Sequence, residues 1–186
     1  MKQRCDWAKN HELETQYHDQ EWGVPIFDDK TLFEMLSLEG MQSGLSWITI
    51  LKKRKGYQDA FDNFEVKKVA SYSQNKIDIL ILNKNIIRHK LKINSIINNA
   101  QKVLEIQEEY GSFSQYIWSF VNNEPIKNTW NMPQDIPSQT EISQIMSKAL
   151  KKKGFKFLGP TTCYAFMQAV GMVNDHLAPC FRYEEV

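Results

Sequence analysis

Two short segments at opposite ends of the chain carry residues that together suit a metal ion. Cys5 and His18 lie near the N-terminus, and His176 and Cys180 lie near the C-terminus in the run NDHLAPC. Two thiolates and two imidazoles make a complete tetrahedral ligand set for Zn²⁺. Because neither pair fills four positions alone, a shared ion would hold both ends of the chain together. A site closed by four protein ligands leaves no position for a substrate, so the pattern indicates a structural zinc ion.

A second interpretation is that these residues are buried thiols and surface imidazoles that bind no ion. The chain has three cysteines and four histidines, so some fall near the ends by chance. The C-terminal pair has the ligand-like spacing H-x₃-C, whereas the N-terminal spacing C-x₁₂-H is loose. The remaining cysteine, Cys163, lies in the apolar run TTCYAFMQAV, which is typical of a core thiol. Spacing alone leaves both interpretations open.

Length and charge narrow the class of protein. We expect one domain spanning residues 1–186, which is long enough to bury a sizeable core. The formal net charge of +1 excludes a bulk polycation, so any nucleic-acid contact must come from local basic patches. An odd number of cysteines argues against a disulfide framework. The chain has no segment typical of a signal peptide or a membrane span and no sign of an oligomer, so we expect a soluble, cytoplasmic monomer.

Hydrophobic periodicity is helical along almost the whole chain, which predicts an all-α fold. No stretch alternates in the way typical of a strand, and residues 122–137 have so little pattern that we expect a loop there. Gly40 and Gly44 predict a break, and Ser138 with Glu141 predicts a capping box. The predicted helices begin near Leu32, Ser46, Ser73, Arg88, Phe113, Ser138 and Thr161.

The segment LEGMQSGLSW, residues 38–47, combines a carboxylate, two glycines and a tryptophan. Glu39 follows an apolar helical pattern, so we expect its carboxylate near the core. A carboxylate there is costly unless it is hydrogen-bonded, and the donors of a ligand can satisfy it. The alternative is a helix-end glutamate bonded to solvent or to nearby backbone. Four aromatic residues early in the chain are either core residues or the walls of a cleft for a flat ligand: Trp7, Tyr17, Trp22 and Trp47.

Basic residues are concentrated in Lys52–Lys55 and Lys148–Lys156. Such runs usually form a solvated face, but in a nearly neutral protein they also suit phosphate contacts. Between them, LNKNIIRHKLKI joins two helical patterns through an Asn-rich turn, which predicts a hairpin near 83–92. Backbone N–H groups of that turn, together with Arg88 and Lys90, are candidates for binding a DNA phosphate.

Taken together, these motifs resemble the DNA-3-methyladenine glycosylase I family. The resemblance is carried in order over nearly the whole chain by RCDWAKN at 4–10, YHDQEWGVP at 17–25, LFEMLSLEGMQSGLSWITILKKR at 32–54, IIRHKLKI at 86–93, SFVNNEP at 119–125 and KKKGFKFLGPTTCYAFMQAVGMVNDH at 151–176. It implies a helix-hairpin-helix glycosylase fold with a zinc clasp on Cys5, His18, His176 and Cys180. It also implies a monofunctional DNA repair enzyme that flips 3-methyladenine out of alkylated double-stranded DNA. Hydrolysis of the N-glycosidic bond would release free 3-methyladenine and leave an abasic site.

The resemblance also assigns roles to individual residues. Glu39 becomes the candidate catalytic residue, which hydrogen-bonds the lesion base with or without activating water. Tyr17 and Trp47 would contact or stack on the base, with Trp7 and Trp22 lining or supporting the pocket. Gly44 and Leu45 would press into the DNA where the base has left. Methylation at N3 makes the base cationic, so we expect an ionised Glu39 to attract it.

Two departures from the usual pattern concern the hairpin and the region that follows it. Asn85 and Leu91 stand where glycine is common, although Asn tolerates positive φ better than most residues. The segment after the hairpin contains glutamates but lacks the aspartate that related hairpin glycosylases use. The DNA-3-methyladenine glycosylase I family also lacks this aspartate, so its absence is consistent with the resemblance.

Three other functions are weighed against this one. A non-catalytic DNA-damage binder would not need the pocket residues, and a zinc hydrolase would need an open ligand position and a general base. A purely structural helical protein does not explain a carboxylate set among tryptophans. Asp175, next to His176, is expected to support a metal ligand or to end a helix.

Overall fold

The computed structural model describes residues 2–186, and helices dominate it as predicted, apart from one short strand pair. The strands β1 (Ile126–Lys127) and β2 (Val173–Asn174) pair in parallel, and four short 3₁₀ helices connect longer elements. The α-helices of this part of the chain are α1 (Glu12–Gln20), α2 (Asp29–Gln42), α3 (Trp47–Ala60), α4 (Val66–Ala70), α5 (Gln74–Leu82), α6 (Lys90–Tyr110), α7 (Phe113–Trp118), α8 (Glu141–Lys152) and α9 (Pro160–Ala169).

Helix α2 runs through the core, and its residues 32–41 are all buried. Asp28 caps it, because the Asp28 carboxylate accepts a hydrogen bond from the Thr31 N–H at 2.8 Å. The helix packs against α3, α6, α7 and α9. A helix that is buried on all sides must find partners for its polar side chains among its neighbours. This position places the carboxylates of Glu34 and Glu39 inside the protein.

Helices α5 and α6 are joined by residues 83–89, and this turn packs directly on α3. The Ile87 N–H donates to Tyr57 Oη at 3.1 Å, and a Cβ atom at Gly56 would lie 2.4 Å from the Asn85 carbonyl oxygen. Only glycine fits at position 56 for that reason. Since no residue of the turn has a positive φ, Asn85 does not need its tolerance for that conformation. The close approach of this turn to α3 therefore depends on a glycine in the helix and not on one in the turn.

Two predicted helix boundaries are wrong. The N-cap of α8 is Thr140 rather than Ser138, because Thr140 forms a capping box with Ser143 through bonds of 3.2 and 2.9 Å. Helix α2 continues through Gly40, and the break comes only near Gly44, where φ is +79°. Glu39 consequently lies within the last turn of an intact helix rather than at its end.

Residues 122–137, predicted as a loop, contain β1 and a 3₁₀ helix at Pro133–Asp135. Strand β1 pairs with β2, and Trp130 forms a further parallel bridge with Leu177. These pairings hold the segment against the chain on either side of His176. No helix within residues 2–186 is long and apolar enough to cross a bilayer.

Candidate functional site

A cavity of about 450 Å³ opens beside the last turn of α2. Its volume lies in the range of small-molecule sites, roughly 300–1,000 Å³. Glu39 lines it together with the four aromatic residues singled out from the sequence, Trp7, Tyr17, Trp22 and Trp47. The fold therefore brings the candidate carboxylate and the candidate aromatic walls to one place.

Glu39 is a buried acid whose Oε2 has no hydrogen-bond partner within residues 2–186. Glu34, one and a half turns earlier on the same helix, accepts hydrogen bonds from Arg54 at 2.8 Å and from Gln58 at 3.0 Å. Burial raises the pKa of Glu39 to about 8. In the free cavity this side chain is mainly the neutral acid at pH 7, which differs from the ionised carboxylate expected from the sequence.

Tyr17 and Trp47 present two further polar atoms without partners. Tyr17 Oη and Trp47 Nε1 are buried and unpaired in the described part of the chain, as is Arg182 Nε elsewhere. The rings of Tyr17 and Trp47 lie 5.3 Å apart between centroids. Burial, with the nearby Glu39 carboxylate, raises the pKa of Tyr17 well above its usual value. Unpaired buried polar atoms are rare, so three around one cavity indicate the place of a polar, flat ligand.

The far walls of the cavity were not anticipated from the sequence. They come from the 3₁₀ segment and from α9, and they include Pro133, Ile136, Pro137, Ser138, Thr161, Tyr164, Ala165 and Gln168. The prediction that Asp175 supports a metal ligand or ends a helix is wrong. Its buried carboxylate instead accepts hydrogen bonds from Asn128, Trp130, Tyr164 and Gln168, and so fixes the α9 wall.

Cys5, His18, His176 and Cys180 converge on a second centre, where all four side chains are buried and their ligand atoms lie within 4.8 Å of one another. Cys180 Sγ lies 3.4 Å from His18 Nε2 and 3.7 Å from His176 Nδ1, and Cys5 Sγ lies 3.9 Å from His176 Nδ1. Tetrahedral zinc with ordinary bond lengths would place sulfur and nitrogen ligands about 3.6 Å apart. The four residues therefore fit a metal ion.

Hydrogen bonds outside this centre orient both imidazoles toward it. His18 Nδ1 lies 2.8 Å from Asp19 Oδ1, and His176 Nε2 lies 3.0 Å from the Trp22 carbonyl oxygen. Donation at these positions leaves His18 Nε2 and His176 Nδ1 free to bind a metal. Arg4 holds the Asp19 carboxylate through two nitrogens at 2.7–2.9 Å, and this contact lowers the pKa of Asp19. The adjacent pair His18–Asp19 was the sequence signal that could have identified this role.

The cluster of Cys5, His18, His176 and Cys180 shares a wall with the cavity. The Trp22 ring lies 4.6 Å from the His176 ring, and the Trp7 ring lies 5.4 Å from the His18 ring. Both tryptophans also line the cavity. The Cys/His cluster therefore packs against the aromatic wall of the cavity.

The candidate DNA-contact residues are all exposed. Gly44 and Leu45 lie in the turn between α2 and α3, Arg88 lies just before α6, and Lys90 is the first residue of α6. The sequence did not reveal Lys92, whose Nζ donates to the carbonyl oxygens of Met41 at 2.9 Å and Ser43 at 2.6 Å. This buried lysine joins the first turn of α6 to the turn that carries Leu45.

Arg54, from the first basic cluster, is turned inward. It pairs with Glu21 at 2.6 Å and with Glu34 at 2.8 Å. Since both partners are carboxylates of the protein, Arg54 stabilises the packing of α3 on α2 and is no candidate for a phosphate contact.

Comparison with known proteins agrees with this arrangement. Residues 7–183 match the family model described as methyladenine glycosylase. The DNA-3-methyladenine glycosylase of Haemophilus influenzae is 48% identical over 180 residues, which cover 97% of each chain. A crystal structure of 3-methyladenine DNA glycosylase I superposes with a TM-score of 0.94 at 47% identity, covering 96% of this chain and 98% of that one.

A second crystal structure is that of a tyrosine-to-phenylalanine variant of 3-methyladenine DNA glycosylase I in complex with 3-methyladenine. It superposes with a TM-score of 0.93 at 40% identity and covers 96% of each chain. Both the family match and the similarity to the Haemophilus protein extend over nearly the whole chain. This chain therefore belongs to the methyladenine glycosylase family of enzymes.

Proposed function

We propose that this protein is a monofunctional DNA glycosylase that excises 3-methyladenine from alkylated double-stranded DNA and leaves an abasic site. The observation that carries the proposal is the buried, unpaired carboxyl group of Glu39 in a cavity walled by aromatic rings. The name of the Haemophilus relative and the base held by the structural neighbour support the same substrate.

The charge of the lesion explains why an acid occupies this cavity. Methylation at N3 of the nucleotide gives the base a positive charge and weakens the glycosidic bond, so the leaving base needs no proton. A cation in the cavity favours the ionised form of Glu39, and the proton held at its raised pKa leaves as the base enters. The resulting carboxylate accepts charge-assisted hydrogen bonds from the base. Normal adenine lacks both the charge and the weak bond, so selectivity has two sources.

The aromatic residues hold the ring of the base. Trp47 and Tyr17 each offer either a ring face for stacking or, edge-on, an unpaired N–H or O–H donor to the ring nitrogens. Extrusion of a base costs a few kcal/mol, and this cost is lowest for a damaged base. Binding in the cavity offsets it and leaves C1′ open to water.

The exposed residues near the cavity bind the rest of the DNA. Leu45, which is 40% exposed, enters the position that the flipped base vacates, and Gly44 allows the turn that presents it. Arg88 and Lys90, with the N–H groups at the start of α6, bind backbone phosphates. One copy of the chain contains all of these parts, so we propose that it acts as a monomer.

Cys5, His18, His176 and Cys180 bind one structural Zn²⁺ ion. When bound, the ion supplies a cross-link between the two ends of the chain and takes no part in the reaction. A zinc hydrolase would keep one ligand position open for water, whereas four protein ligands close this site.

Incubation with a methylated duplex, followed by chromatography of released bases, tests the proposed function. We expect free 3-methyladenine to be released and the DNA strand to remain intact until the abasic site is cleaved by alkali. Glu39→Gln should slow the release, whereas Glu108→Gln, an exposed charge on α6, should not change it. Release of no base by the parent protein, or undiminished release by Glu39→Gln, would show that the proposal is wrong.

A further inference from the structure

The loop between α8 and α9 presents an aromatic ring on a strained backbone. Phe157 has a φ of +61°, in the left-handed region that costs a non-glycine residue free energy. Its side chain is 39% exposed, so burial of the ring does not offset that cost. The neighbours Phe155 and Leu158 are both buried and anchor the loop on either side. Nothing in the proposed base-binding cavity uses Phe157.

Side chains of α6 and α8 fix the backbone of this loop by hydrogen bonds. Asn99 on α6 donates to the Lys156 carbonyl at 3.0 Å and accepts from the Lys156 N–H at 2.9 Å. Asn98 donates to the Gly154 carbonyl at 2.9 Å, and Ser147 donates to the Leu158 carbonyl at 2.7 Å. These bonds fix the backbone on both sides of Phe157. They fix the backbone from which the partly exposed ring projects.

Phe157 lies beside both elements that we assign to DNA contact. Its ring centroid is 6.5 Å from that of His89, the N-cap of α6. Its carbonyl oxygen is 3.8 Å from the point where a Cβ atom on Gly40 would lie, close to the turn that carries Leu45. Since Lys92 already ties α6 to that turn, Leu45, the hairpin and Phe157 belong to one surface.

The composition of the three segments that carry Leu45, the hairpin and Phe157 favours a polyanionic partner. Residues 40–58, 79–104 and 142–174 contain none of the 22 Asp and Glu residues and more than half of the 23 Lys and Arg residues. Lys156 is exposed next to Phe157, and no carboxylate pairs with it in the part of the chain that the structure describes. Arg88 and Lys90, which flank His89, and Lys156 therefore bring exposed positive charge close to Phe157, although the net charge of the protein is only +1.

We propose that the 154–158 loop is a further DNA-contact element, in which Phe157 packs against the bases beside the extruded nucleotide and Lys156 binds a backbone phosphate. This inference rests on the proposed function. An aromatic ring stacks on any base, and apolar side chains inserted at a base step help to hold DNA open. The strained backbone and the hydrogen bonds that fix it are then explained, because a side chain inserted between bases must keep its position against the resistance of the duplex.

Binding to a duplex with a single tetrahydrofuran abasic analogue, followed by fluorescence anisotropy, tests the loop. F157G removes the ring but tolerates the positive φ, so we expect a melting temperature no lower than that of the parent protein. We expect affinity for the duplex to fall roughly tenfold. Affinity for free 3-methyladenine should stay unchanged, because Phe157 does not line the cavity. F157W, which keeps an aromatic face, should bind the duplex like the parent.

The salt dependence of duplex binding separates the contribution of the Phe157 ring from that of the Lys156 charge. F157G should keep the parental slope of log affinity against log salt, whereas Lys156→Gln should lower the slope by about 1. Phe27→Ala is the matched control, since Phe27 is exposed near the opposite end of α2 and should leave duplex affinity unchanged.

If F157G binds the duplex as tightly as the parent, the inference is wrong. It is also wrong if F157G loses duplex affinity only together with melting temperature and affinity for the free base. A parent protein that releases no 3-methyladenine would overturn the proposed function and this inference together. An active parent with an unaltered F157G would overturn the inference alone.

Discussion

Replacing Glu39 by glutamine should stabilise the free protein at alkaline pH and lower the affinity of the protein for 3-methyladenine. The folded state raises the pKa of Glu39 from 4.5 to about 8, so between these values the folded protein holds a proton that the unfolded chain has lost. Stability from this group is therefore present at acid pH and is lost as the pH rises to 8. At 1.36 kcal/mol per pKa unit, the full cost of ionised Glu39 is about 4–5 kcal/mol.

Glutamine occupies the same space without the charge. The free energy of unfolding of Glu39→Gln, relative to the parent, should therefore increase by about 4 kcal/mol from about pH 5 to about pH 8.5. Urea denaturation of both proteins across this range measures the difference. Glu14→Gln and Glu108→Gln serve as controls, because Glu14 also lines the cavity and Glu108 is exposed on α6. For both variants the difference in the free energy of unfolding from the parent should stay nearly constant over this pH range.

The same variant should lose affinity for free 3-methyladenine. A hydrogen bond to a charged group contributes roughly 1.5–3 kcal/mol, so Kd should rise at least tenfold at pH 8. Tryptophan fluorescence reports the titration, because Trp47 and Trp22 line the cavity. A pH-independent stability difference together with parental affinity would refute both the buried acid and its role in binding.

The remaining expectations concern the metal, the DNA surface and the stacking face. Freshly purified protein should contain one zinc ion per chain by elemental analysis, and Cys180→Ser should lower the melting temperature and, through Trp22, the affinity for the base. Asp19→Ala should weaken metal binding by roughly 10–100-fold in a chelator competition, because it removes the acceptor of the His18 N–H. Arg88→Gln and Lys90→Gln should each lower the salt slope of duplex binding by about 1 without changing which base is excised. Trp47→Ala should cost roughly 1–3 kcal/mol of base affinity in the fluorescence titration.

The sequence predicted those features that depend on residue type and periodicity. The apolar period of α6 and the ligand chemistry of the four Cys and His residues both gave correct expectations about which residues come together. The 3₁₀ segment at Pro133–Asp135 was missed because its position depends on pairing between β1 and β2, which are distant in sequence. Its residues have no period of their own, so only the folded chain shows that they cover the cavity.

The protonation of Glu39 could not be predicted for a different reason. Glu34 and Glu39 lie on the same buried helix, and the sequence around each offers no obvious difference in environment. Glu34 accepts hydrogen bonds from Arg54 and Gln58 of α3, whereas Glu39 lines a cavity whose walls come from two parts of the chain that are distant in sequence. A pKa depends on which partners are within reach, and here the absence of a partner decides it.

The position of the Cys/His cluster has a physical explanation, because apolar packing holds the neighbouring cavity wall only weakly. Trp7 belongs to a four-residue 3₁₀ helix, and Tyr17 belongs to the nine-residue α1, both too short to be stable without tertiary contacts. Few residues of α1 are buried, so apolar packing alone holds this segment weakly. A cavity must also keep open space beside the wall, which removes further packing. The ion that we propose for His18, His176 and Cys180 would anchor the segment from the side of the Cys/His cluster and would leave the aromatic faces toward the cavity free.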